Sequence, residues 1–139
     1  MAITSLKTQM DAIVMRTEER ILAVTKQAIY DTVEQAQEVR PTGKMPFDTG
    51  FLRHSGTSSL NTPPTGPIRG EKAGKYKWSD DTLLSILARM KIGDVFYFGW
   101  TAVYARKQEA RHGFLESAVM NWQSHVDKAV AVFRKKDGK

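Results

Sequence analysis

A chain of 139 residues, 41% hydrophobic and 26% charged, has the size and make-up of one globular domain rather than of a disordered segment. It contains no cysteine, which excludes disulfide frameworks, thiol catalysis and cysteine-based zinc sites. A formal net charge of +6 permits contact with nucleic acid or with an acidic protein surface.

The charge is unevenly spread. Residues 1–40 hold five Lys/Arg against six Asp/Glu, residues 41–104 eight against five, and residues 105–139 eight against four. Arg134, Lys135, Lys136 and Lys139 supply part of the last excess. Residues 134–139 read as a flexible, solvated basic tail, with a nucleic-acid contact as the sharper alternative. No apolar run approaches the length of a bilayer span, and Met1 to Met10 lacks the apolar core of a signal peptide. A soluble, unexported protein with no membrane partner is therefore expected.

The first element is a long helix. Leu6, Met10, Ile13, Val14, Thr17, Ile21, Val24, Ala28 and Val39 share one face at 100° per residue, and Met15, Leu22, Ile29 and Val33 form a weaker opposite stripe. Thr4 or Ser5 is the expected N-cap, and Pro41 the expected end. Two apolar stripes need two covers: the helix's own domain, and a second element or a neighbouring subunit. A Pro- and Gly-containing loop, 41–47, follows. Asp48 is placed to cap a single helical turn, and Gly50 to allow close backbone approach. A short strand is expected from Ser55 to Leu60.

Residues 61–77 hold three of the five prolines, three glycines and four basic residues, with no apolar pattern. They read as a long loop, either an arm reaching a neighbour or an unstructured excursion. Asp81 to Met90 is either a short helix or a bulged strand. Lys91-Ile92-Gly93-Asp94 is a turn, and Val95 to Trp100 is a strand by its aromatic and β-branched content. Residues 103–109 leave the strand into a helical turn. Leu115, Ala118, Val119, Trp122, Val126, Ala129, Val130 and Phe133 then lie on one stripe of a C-terminal helix, with Leu115, Val119, Trp122, Val126 and Phe133 as its expected core residues. Glu116 suits the start of that helix, and Arg134 to Lys136 suit its end. The resulting fold class is α+β: a long N-terminal and a C-terminal helix packed on a small antiparallel sheet with a long inserted loop, as a single domain 1–139.

Catalytic chemistry is hard to place on this chain. His54, His112 and His125 have no partner at metal-ligand spacing. The pair Asp80-Asp81 is better explained by a helix start than by hydrolysis or metal binding. Gly66 to Gly74 has no phosphate-loop ending, and the aromatics at 96–100 lack the surroundings of a base-stacking sheet, so packing explains them better. No catalytic residue, metal site or cofactor is expected.

Three constellations remain. The first is Pro46, Asp48, Thr49, Gly50, Leu52, Arg53 and Ser55. The second is Lys91, Gly93 and Asp94 leading into the strand. The third is Tyr104, Ala105 and Glu109, followed by Gly113 and the last helix. Each alone is a capped turn, a corner or a strand exit. In this order and spacing they resemble the tail-completion or neck (head–tail joining) proteins of long-tailed bacteriophages, of the minor tail protein Z type. The chain departs from that pattern at Phe47, at 99–103 and at Ala110. The resemblance implies a structural virion protein of the neck or upper tail, made in the bacterial host cytoplasm. It also implies a sixfold ring of identical subunits, with the tail terminator, tail tube and head connector as neighbours. DNA would pass through its lumen without sequence-specific binding. Asp48 and Arg53, five residues apart, then brace the loop or pair across subunits. The alternative is a small basic nucleic-acid-binding protein.

Overall fold

The computed structural model describes residues 2–48, 50–64 and 76–136. Its first element is one uninterrupted helix, α1 (Ala2–Gln37), of 36 residues and so about 54 Å long. Its start at Ala2 leaves Thr4 and Ser5 inside the helix rather than capping it. It stops at Gln37, ahead of Pro41, and Val39 leaves the helical face to form a bridge with Met45. The remaining elements are α2 (Phe51–His54), β1 (Gly56–Leu60), α3 (Asp81–Arg89), β2 (Phe96–Trp100), α4 (Ala105–His112), α5 (Phe114–Met120) and α6 (Trp122–Lys136).

The fold is α+β. β1 and β2 form a two-stranded antiparallel sheet with Gly56 opposite Trp100 and Leu60 opposite Phe96. An isolated two-stranded ribbon is marginal in water. Here it gains a cover on its apolar side, where Phe96, Phe98 and Leu60 pack with Val33 of α1, Leu83 and Leu87 of α3, and Met90 just beyond it. The undecided segment 81–90 is thus a helix, because Leu83, Ile86 and Leu87 fall on one buried face. A second core lies at the other end of the sheet. There Met45, Phe51, Leu52, Ala102 and Phe114 enclose one another, with Trp100 packed edge-on against Phe114 at 4.9 Å.

The C-terminal stripe needs correction. It is not one helix but two, broken at Asn121. The break changes which side faces inward: Phe114, Ala118 and Ala129 are buried, whereas Leu115 and Trp122 are each 38% exposed and Val119 55%. Val126 and Phe133 are half-buried. Truncating Trp122 should therefore cost less than the about 3–5 kcal/mol typical of a fully buried tryptophan. Arg134 to Lys136 form the last turn of α6, and residues 137–139 of the expected basic tail lie outside the described residues.

One buried amide joins the two cores. Gln37 is completely buried. Its Nε2 donates to the Arg53 carbonyl at 2.9 Å, its Oε1 accepts from the Trp100 indole at 2.8 Å, and its own carbonyl accepts from Arg53 Nε at 2.9 Å. The approach is possible only because residue 56 is glycine: a Cβ there would sit 2.4 Å from Gln37 Nε2 and 2.8 Å from the Phe98 ring. Replacing Gln37 by Ala strands the Trp100 N–H and the Arg53 carbonyl in the interior. Since a buried group left without its partner costs about 1–3 kcal/mol, Gln37→Ala is expected to lose roughly 2–4 kcal/mol in urea denaturation.

Candidate functional site

The three sequence constellations divide between the two ends of the sheet. The first and third meet at one end. Pro46, Phe47, Asp48, Leu52, Tyr104 and Gln108 border an open cleft of about 210 Å³. Its lining is mixed and includes one carboxylate, Asp48, and one phenol, Tyr104. Burial pushes the Tyr104 hydroxyl above its ordinary value, and the charge of Asp48 adds to the shift. The second constellation, Gly93 and Asp94, lies in the turn that leads into the start of β2, where β1 ends.

Asp48 does not cap α2. The cap position belongs to Gly50, with φ of 87°, whose carbonyl accepts from His54 N–H at 2.9 Å. A side chain at residue 50 would be strained by that φ, and its Cβ would also lie 2.5 Å from the Tyr76 carbonyl. The returning chain is pinned across this turn. Tyr76 packs edge-on to Phe51 at 4.9 Å, and His54 Nδ1 donates to the Lys77 carbonyl at 2.6 Å, which fixes the proton on that nitrogen. Thr49 lies outside the described residues.

Arg53 is engaged with Gln37 and stacks over Trp78 at 5.5 Å, while Asp48 acts on Tyr104. Arg53 thus turns to Gln37 and Trp78, while Asp48 borders the cleft with Tyr104. Leu52 is core, and buried Ser55 donates its hydroxyl to the Leu52 carbonyl at 2.7 Å, closing α2.

The other two constellations are likewise joints. Asp94 accepts from Lys91 N–H at 2.8 Å and from the Asn61 side chain at 3.2 Å, which holds its carboxyl below the ordinary carboxylate range. Asn61 in turn accepts from Val95 N–H at 2.9 Å, so the 91–94 turn is tied to the end of β1. Glu109 reaches from α4 to the start of α5, where its two oxygens accept from Leu115 N–H at 2.8 Å and Glu116 N–H at 3.0 Å. Those are free donors of a helix N-terminus, and a carboxylate suits them in both charge and geometry. Ala105 packs on the Phe114 core.

The segment 61–77 is anchored at both ends, through Asn61 and through Tyr76 and Lys77. Removing all of it would therefore disturb the fold. Its middle, 65–75, the larger part of the expected 61–77 arm, lies outside the described residues.

An acidic group lies beside α3. Tyr30 donates to Asp80 at 2.5 Å, and this bond is the main reason its hydroxyl is pushed up to about 12. Asp80 is thus a partner of α1. Glu34, on α1 one turn from Tyr30, is pushed above the ordinary carboxylate range by burial and by the Asp80 charge, with Arg53 opposing. Among the described residues, no group of three or more Asp, Glu or His could hold a metal ion, and no helix is long and apolar enough to cross a membrane.

Two features escaped the sequence reading. One is Gln37, a polar residue at the end of a helix that nothing local marks as buried. The other is where apolar surface is left bare, since the sequence foretold a stripe of α1 awaiting a cover but neither its place nor the groove beside it. All of residues 6–21 of α1 are exposed, including Leu6, Met10, Ile13, Val14, Met15 and Ile21. An apolar groove of about 170 Å³ lies between the C-terminal half of α1, the aromatic residues of β2, and Leu115 and Trp122. No protein-family model, curated protein or solved structure matches the chain.

The raised Glu34 pKa makes a signed prediction. A carboxyl whose folded pKa exceeds its unfolded value contributes stability below the unfolded value and loses it as pH rises through the folded one. Glu34→Gln, which stays neutral, should melt higher than the native chain at pH 7, and the gap should close by about pH 4, near the unfolded carboxylate pKa. Thermal melts across that range measure it.

Proposed function

We propose that the chain is a non-catalytic assembly protein of a long-tailed phage, forming a ring at the neck or tail top that completes the tail and joins it to the head. The observation that carries this reading is how the motif side chains are engaged. Arg53, Ser55, Asp94 and Glu109 each bond to a backbone group within the domain, Arg53 and Glu109 across to another helix and Ser55 and Asp94 within their own turns. They shape and join surfaces. A half-exposed apolar face on α5 and α6 and a bare helix on α1 supply the contact area that a ring requires. The +6 charge suits a lumen through which DNA passes, or an acidic neighbouring ring.

Deleting the gene from its phage should leave filled heads and free tails side by side in lysates viewed by electron microscopy. A normal yield of joined particles would remove the reading. Binding of the purified chain to short duplex DNA separates the alternative. A nucleic-acid-binding protein would bind tightly and lose affinity steeply with added salt. The ring protein should bind such DNA weakly at physiological salt.

A further inference from the structure

The two bare apolar surfaces belong to one contact. We propose that the exposed N-terminal part of α1 in one subunit docks into the apolar groove of a second copy of this chain, so that subunits join head to tail. The inference deepens the proposed ring and rests on its self-association, while specifying which surfaces meet.

Four observations argue for it. First, α6 runs antiparallel beside α1: His125 bonds Gln35 near one end, and Phe133 lies by Ala23 and Gln27 near the other. The face of α1 that holds Gln35 and buried Ala28 also holds Ile21, Thr17, Ile13, Met10 and Leu6. That face is continuous with an interface already formed in the monomer, but beyond Leu22 it has no cover. Its bare length, residues 6–21, is about 24 Å. Second, the groove is a different surface, floored by Ile29, Phe96, Phe98 and Trp100 and rimmed by Leu115 and Trp122. The rim residues are each 38% exposed, and the lining is almost wholly apolar.

Third, α1 cannot fill the groove of its own chain. The groove uses Ile29 and later residues of the same uninterrupted helix, and the bare part runs on away from it. The occupant is therefore another molecule. A pairing of two α1 helices with each other would leave the groove uncovered, whereas docking fills the groove, whose about 170 Å³ suits an anchor such as Ile13 or Met10, and covers the stretch of α1 around it. Fourth, residues 6–21 carry three cations, Lys7, Arg16 and Arg20, and three anions, Asp11, Glu18 and Glu19. The docking segment is itself neutral, so the contact adds no like-charge pairing to the general repulsion between two +6 chains. Two unlike patches in contact make a heterologous interface, the kind that closes into rings.

Sedimentation velocity on the purified full chain tests this. The native chain should self-associate at concentrations up to about 100 μM, well above the micromolar range of weak specific contacts. A helix variant, Met10→Glu with Ile13→Glu, and a groove variant, Leu115→Glu with Trp122→Glu, should each stay monomeric with native circular dichroism. Mixed together they should form a discrete 1:1 dimer, because one retains a sound groove and the other a sound helix. If the groove variant self-associates as the native chain does, the contact is helix to helix and the proposal fails. A native chain that remains monomeric throughout overturns it as well.

Since the chain lacks cysteine, single introduced thiols give a second readout that does not depend on tolerated charges. Chains with Ile13→Cys and chains with Trp122→Cys should cross-link to each other on oxidation. Predominant Ile13–Ile13 dimers would count against the docking. The particle assay reads the virion role separately: self-assembly by a chain dispensable for tail joining would retain this contact and remove only that role.

Discussion

The domain turns on a single buried amide. Gln37 sits where α1 ends, where α2 begins to turn and where β2 leaves the sheet, and it binds a group from each of the last two. Within a low-dielectric interior such a network is strong when complete and costly when any member is missing. No buried side-chain nitrogen or oxygen among the described residues lacks a partner, so here it is complete. Gly56 leaves the space the amide needs, and the Trp100 indole that bonds it also packs on Phe114 of α5. Through these contacts the long helix, the sheet and the C-terminal helices take one relative position.

That rigid joint has a consequence for the surface. With its C-terminal half clamped between α3 and the α5–α6 pair, α1 is committed to a direction, and its first twenty or so residues run beyond the body of the domain. An apolar stripe held out in water on a stiff rod is an unfavourable arrangement for a monomer. It becomes favourable if the rod seats in a neighbour. The proposed head-to-tail contact and the proposed ring follow from the same commitment. The motif residues contribute indirectly, because Glu109 holds the start of α5, and Leu115 at the rim of the groove is one of the two residues whose N–H it accepts.

Much of the secondary structure was legible in the sequence. The 3.6-residue periodicity of α1, the proline beyond its end and the aromatic, β-branched run into β2 each act over a few neighbouring residues, and the elements they foretold exist. The boundaries were read less well. Val39 continues the helical pattern yet pairs with Met45, because a tight local turn, closed by backbone bonds between residues 38–40 and 43–45, competes with a further helical turn. The break at Asn121 left no mark in the pattern, since apolar residues continue on both sides of it. The candidate site was legible as a set of positions but not as a set of roles. Asp48 was read as a cap by residue type, whereas the turn is set by the left-handed backbone of Gly50.

The sequence by itself determined the α+β class, the two faces of α1, the absence of cysteine chemistry and which turns need glycine, because those depend on local sterics and on residue type. It could not say which apolar side of a helix is covered. Periodicity records that a face shuns water, while the identity of its cover depends on elements far along the chain. Only the tertiary structure decided that Ala118 and Ala129 face inward while Val119 and Trp122 look out, that Gln37 is the hub, and that half of α1 is left bare.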